Sequence, residues 1–68
     1  MEVSYNKLWK LLIDKGMNKS KLRTLTGIGT NTLAKLSKNE QVSMDVLMKL
    51  CQKLECDISD ICEFINKE

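Results

Sequence analysis

Hydrophobic residues recur along this chain at three- and four-residue intervals, the period of helices that bury one face. From Tyr5 to Lys15, Leu8, Leu11 and Leu12 form an apolar stripe, and Tyr5, Trp9 and Ile13 widen it toward one flank. That breadth exceeds what one neighbouring element could cover. Gly16 supplies the left-handed residue that commonly closes a helix, and Asn18 is placed to cap a second, short helix over residues 19–26 with Leu22 turned inward. Gly27-Ile28-Gly29 is too short for a wandering connection. Thr30 is expected to cap a third helix over residues 30–38, seated by Leu33 and Leu36. So narrow an apolar stripe leaves Asn31, Thr32, Lys35 and Lys38 facing outward, and Asn39, which tolerates left-handed backbone, can stop the helix.

Ser43 then caps a fourth helix through Leu54, with Met44, Leu47, Leu50, Cys51 and Leu54 on one face and Asp45 in its favourable first turn. Asp57 caps an expected fifth helix over residues 58–66. In it Ile58, Ile61, Cys62 and Ile65 form a seam and Phe64 falls to one side, ahead of the polar tail Asn66-Lys67-Glu68. No repeat, linker or low-complexity run interrupts the pattern. The expectation is an all-α chain of five helices forming one domain over residues 1–68.

Composition supports helix over sheet: Pro is absent and only three residues are Gly. A chain of 68 residues builds only a marginal core without disulfides or metal, so every apolar face must be used. The net charge of +2 announces no partner by itself, but its distribution does. Residues 1–38 carry eight cations against Glu2 and Asp14, a net of +6, whereas residues 39–68 carry three against seven acids, a net of −4. A basic half can face phosphates and an acidic half cannot, so a nucleic-acid surface belongs in the first 38 residues. The same lysines would also suit an ordinary solvated surface.

Cys51, Cys56 and Cys62 are spaced without a C-x-x-C pair, and the chain has no His to complete a zinc site. They read as buried thiols acting as small hydrophobes, with no metal or cofactor implied. No stretch approaches the apolar length of a membrane span, and Met1-Glu2-Val3-Ser4 lacks a signal-peptide pattern, so a soluble cytoplasmic protein is expected. An enzyme is disfavoured: there is no His, no Gly-rich phosphate loop and no nucleophile with a base at hand.

The stretch Asn18 to Lys38 carries the functional signal: a capped short helix, a glycine turn, and a second short helix with a polar, cationic outer face. That is a helix-turn-helix arrangement. Leu22 packs the first helix inward, Gly27 lets the chain reverse, Ile28 plugs the turn, and Leu33 and Leu36 seat the second helix.

The chain here resembles the Cro/C1-type helix-turn-helix regulators, which share a lambda-repressor-like fold. The resemblance spans nearly its whole length. It rests on Leu22-x-x-x-x-Gly27-Ile28-x-x-x-x-Leu33-x-x-Leu36, on Val42-Ser43-x-x-x-Leu47-x-x-Leu50-Cys51-x-x-Leu54, and on Asp57-Ile58-x-Asp60-Ile61. The opening Tyr5-x-x-Leu8-Trp9-x-Leu11-Leu12-Ile13 and the closing Leu54-Glu55-Cys56-Asp57-Ile58 are similar to short stand-alone Gram-positive regulators, among them the VanU type of glycopeptide-resistance operons.

The resemblance implies transcriptional regulation through double-stranded operator DNA, with the third helix in the major groove and the second across the backbone at its mouth. By position, Thr30, Asn31 and Lys35 match residues that touch base edges. Their chemistry agrees: Asn can pair bidentately with adenine, Lys can donate to guanine acceptors, and a Thr methyl can meet a thymine methyl. Taken alone, however, Asn31 is simply an exposed helix residue. Lys19 and Ser20 match phosphate-contacting positions at the start of the second helix, as do Thr32, Lys38 and Asn39 at the edges of the third.

Two departures from the family pattern stand out. Arg23 occupies a place often held by a small residue, and is expected to lie along the surface with its head toward solvent or phosphate. Ser37 and Asn39 replace a frequent Glu and Gly, which puts in doubt a salt bridge at the end of the third helix.

Such modules gain affinity by pairing across a two-fold axis, so a homodimer is expected, with Trp9, Ile13 and Phe64 as surplus apolar surface; alternatively, these three pack on one another and complete a monomer core. No small-molecule ligand is implied. The competing function is a protein-interaction or antitoxin-like module on the same architecture.

Overall fold

The computed structural model describes residues 1–66, so Lys67 and Glu68 of the expected polar tail lie outside the described residues. In chain order the elements are strand β1 (Glu2–Ser4), helices α1 (Asn6–Asp14), α2 (Lys19–Thr26), α3 (Thr30–Ser37) and α4 (Met44–Leu54), a 3-10 turn (Ile58–Asp60) and strand β2 (Glu63–Ile65). The four helices follow the hydrophobic periodicity closely. Every one contributes to a single core of Tyr5, Leu8, Leu12, Leu22, Ile28, Leu36, Leu50, Leu54 and Ile61, with Leu33, Leu47 and Trp9 among the half-buried residues packed against it.

The expected stop and start signals operate largely as read. Gly16 is left-handed at φ +69°, and Asn18 accepts from the Lys21 N–H with its side chain, at 2.8 Å. Gly27 is left-handed at φ +75° and donates to the Arg23 carbonyl at the end of α2. Ser43 accepts from the Val46 N–H, and Asp57 and Asp60 cap the 3-10 turn reciprocally. Thr30 is the exception. The N-cap of α3 is Gly29, no side chain caps it, and Thr30 is the first helical residue.

The main correction concerns the chain after Asp57. The expected fifth helix is one 3-10 turn, and Glu63–Ile65 runs antiparallel to Glu2–Ser4 with Val3 opposite Phe64. Among the described residues the fold is thus four helices with a small two-stranded sheet, not five helices. Of the anticipated seam only Ile61 is fully buried, while Ile58 and Ile65 stay partly exposed. A helix this short draws its stability from tertiary burial. Without a neighbour to cover the seam, the β-branched and aromatic residues take the extended partner that the N-terminus offers. Met44 is likewise exposed, against the expectation of a core position.

Tyr5 fastens the sheet end of the molecule to the segment after α3. Its side chain is buried, its N–H donates to Asn39 Oδ1 at 3.1 Å, and its hydroxyl donates to the Glu40 carbonyl at 2.8 Å. The three thiols are free and half-buried rather than fully buried. Burial, followed by the neighbouring Cys56, pushes the Cys51 thiol up to about 11, and burial also raises Cys56 and Cys62. Raised thiol values mean little thiolate near neutral pH and low reactivity. Among the described residues, no helix is long and apolar enough to cross a membrane.

Candidate nucleic-acid interface

The helix pair α2–α3 is assembled from the inside out. Leu22 and Leu36 are completely buried, and Ile28 in the connection is nearly so. Thr26 adds a contact that periodicity did not reveal: it is buried, and its hydroxyl donates to the Leu22 carbonyl at 2.7 Å, which lets a polar residue sit at the turn without an unpaired group. With these residues inward, the exposed side of α3 carries Thr30, Asn31 and Lys35, while Thr32 is half-buried at its edge. The three proposed base-reading residues therefore share one two-turn helix and are solvent-accessible. Along the sequence, the stretch between Asp14 and Glu40 that contains them, residues 15–39, holds six cations and no acid.

The end of α3 is set by geometry rather than by an ion pair. Asn39 is left-handed at φ +57°, and the Glu40 N–H reaches back to the Lys35 carbonyl at 2.9 Å. This is the tight C-terminal closure usually made with glycine, here made with asparagine. Asn39 Oδ1 accepts from the Tyr5 N–H, a bond that leaves its amide NH2, the only part of the side chain able to donate to a phosphate, unused.

Ser37 also acquires a partner. The Lys19 ammonium donates to its hydroxyl at 3.1 Å and lies 4.4 Å from the centre of the Trp9 ring. Three helices meet through that one cation, where a Glu-based salt bridge had been in doubt. Periodicity could not have found this, since Trp9, Lys19 and Ser37 are distant in sequence. Ser20 and Arg23 are exposed on α2.

The remaining candidates separate. Ile13 and Phe64 are 74% and 73% exposed, so they do not complete a monomer core, whereas Trp9 is half-buried and engaged by Lys19. Phe64 stands at an apolar groove of about 450 Å³ with Met1, Val3, Met44 and Ile58, at the opposite end of α1 from Ile13.

Comparison with known proteins agrees with this geometry. The family model of the Cro/C1-type HTH DNA-binding domain matches residues 7–67. No curated protein is significantly similar in sequence. Among solved structures, the chain is similar to that of the transcriptional regulator VanUg, with 53% sequence identity, a TM-score of 0.94, and coverage of 97% of this chain and 88% of that one. That likeness agrees with the VanU-type resemblance carried by the chain's opening and closing segments. The chain belongs to the Cro/C1-type helix-turn-helix DNA-binding family.

Proposed function

We propose that this protein binds specific double-stranded DNA and regulates transcription, with α3 in the major groove. The observation that carries the reading is the exposed Thr30, Asn31 and Lys35 on one short helix, inside a 25-residue stretch with six cations and no acid. Asn31 and Lys35 read base edges, each good contact discriminating by about 1–3 kcal/mol, and Thr30 adds apolar contact to a thymine methyl. Lys19, Ser20, Arg23, Thr32, Lys38 and the Asn39 amide anchor phosphates and set register. Family membership and the likeness to VanUg support the assignment. The VanU-type resemblance extends it to control of a glycopeptide-resistance operon, which transcript levels with and without the protein under glycopeptide challenge would test.

The protein acts as a homodimer on half-sites about one helical turn apart. A second copy is the occupant we assign to the groove beside Phe64, because a projecting ring and an apolar concavity lie on the same face. Such a patch is self-complementary across a two-fold axis, so each copy supplies both knob and groove. Ile13, on the other end of α1, is left outside this contact. Light scattering on the parent and on Phe64→Glu checks it: the parent is dimeric and the variant monomeric, and a monomeric parent at high concentration overturns the assignment.

The test of DNA recognition is selection of bound duplexes from a random pool, repeated with Asn31→Ala and Lys35→Ala. Each variant should relax preference at one position of the half-site. Titration of the selected duplex at several salt concentrations should give a linear fall of log affinity with log salt. If the variants select the parent's sequence, α3 is not the reading helix. A flat salt response instead favours a protein-docking role.

A further inference from the structure

Lysine is a costly phosphate ligand when its four-carbon stem is free, because ordering it forfeits rotamer entropy. Lys19 does not begin free. Its ammonium sits over the Trp9 ring at 4.4 Å and donates to Ser37 Oγ at 3.1 Å. It occupies the first position of α2, whose Asn18 cap leaves the helix start rigid. An ammonium has three donors, and one is used by Ser37. The indole face holds the cation without consuming a hydrogen bond, and the Ser37 hydroxyl, having accepted, still has its own proton to donate. The result is a pair of ordered donors joining the start of α2 to the end of α3.

We infer that Trp9 is a positioning residue for DNA affinity: its ring, with Ser37, holds the Lys19 ammonium in place to meet a backbone phosphate and locks the two helices at the angle the groove requires. The inference rests on the DNA-binding reading and adds to it a residue that never touches DNA. It also accounts for the one tryptophan of the chain being half-buried instead of fully so, since one face must remain open to the cation.

A double-mutant cycle on duplex affinity tests it, with the parent, Trp9→Leu, Lys19→Met and the double variant. Trp9→Leu keeps an apolar side chain against the core and should weaken binding about two- to fivefold, the range of a partly exposed cation–π contact. Its salt slope should match the parent's because the cation is retained. Lys19→Met should reduce that slope by about one contact. The double variant should bind no more weakly than Lys19→Met alone, since Trp9 acts through Lys19. Trp9→Phe, which retains a ring face, should recover most of the affinity.

Additive losses in the cycle would overturn the inference and assign Trp9 to packing only. The free protein offers an independent check. Lys19→Met should change the intensity of Trp9 emission, and unchanged emission means that the cation does not reside on the ring. If the parent binds no duplex while Lys19→Met does alter emission, the DNA-binding reading fails and the three-residue contact stands as structural alone.

Discussion

Removing a single hydroxyl, in Tyr5→Phe, tests how the end of the reading helix is held. Tyr5 is 1% exposed, and its Oη donates to the Glu40 carbonyl at 2.8 Å, bridging the start of α1 to the segment immediately after α3. Phenylalanine fills the same space, so no cavity opens and the change isolates the hydrogen bonding of the hydroxyl, which involves the Val42 backbone as well as the Glu40 carbonyl. A bond of this kind contributes about 1 kcal/mol net, and leaving a partly buried carbonyl unpaired costs about as much again; water reaches the exposed Glu40 and offsets some of it. The expected loss is about 1–2 kcal/mol. A chain of 68 residues is stable by only about 3–10 kcal/mol, so this is a large fraction.

Urea unfolding followed by far-ultraviolet circular dichroism would show a lower midpoint at unchanged slope, because the surface exposed on unfolding is the same. The melting temperature should fall by about 5–15 °C. Amide exchange should quicken most at Glu40, whose N–H closes α3 on the Lys35 carbonyl. A stability change within about 0.5 kcal/mol, the range of an ordinary surface substitution, would refute the reasoning and show that packing of the ring, not its hydroxyl, secures this junction.

Two backbone substitutions should act with opposite sign. Gly27→Ala meets no atom within 4 Å, yet φ is +75°, so its loss of about 1 kcal/mol in chemical denaturation would be conformational strain alone. Glu55 ends α4 at φ +54°, and Glu55→Gly should raise the denaturation midpoint by the equivalent of about 0.5–1 kcal/mol. Leu36→Ala empties the only fully buried position on α3 and should cost about 2–5 kcal/mol, enough for the circular dichroism signal at 37 °C to report a substantially unfolded population. The thiols predict alkaline sensitivity. Cys51 titrates at about 11 when folded against 9.0 otherwise, so its contribution is complete below pH 9 and disappears as pH rises from 9 to about 11. Cys56, Cys62 and Tyr5 are shifted in the same direction. Melting temperatures across that window should fall, and less steeply in Cys51→Ala.

The four helices and the turn between α2 and α3 were legible from residue order because their determinants are local. Asn18 and Ser43 cap by reaching three residues forward, and Gly16 and Gly27 provide left-handed backbone where each helix ends. Leu22, Ile28 and Leu36 fall on the inner face by helical period alone. The outward placement of Asn31 and Lys35 follows from the same arithmetic, so the candidate reading face needed no tertiary information.

Tertiary structure decided what depends on partners far apart in the chain. Nothing within Glu63-Phe64-Ile65 distinguishes a strand from the end of an amphipathic helix; the N-terminal Glu2-Val3-Ser4 does, by offering backbone hydrogen bonds from some sixty residues away. Asn39 was readable as a helix stop, but its acceptance of the Tyr5 N–H, which ties the end of α3 to the start of α1, was not. Lys19 read as a solitary phosphate ligand until Trp9 and Ser37 were brought to it from α1 and α3. Local hydrogen bonding and hydrophobic period determine which helices form, because both act within one turn. Which polar groups remain free for a ligand is determined only when distant segments have satisfied the others.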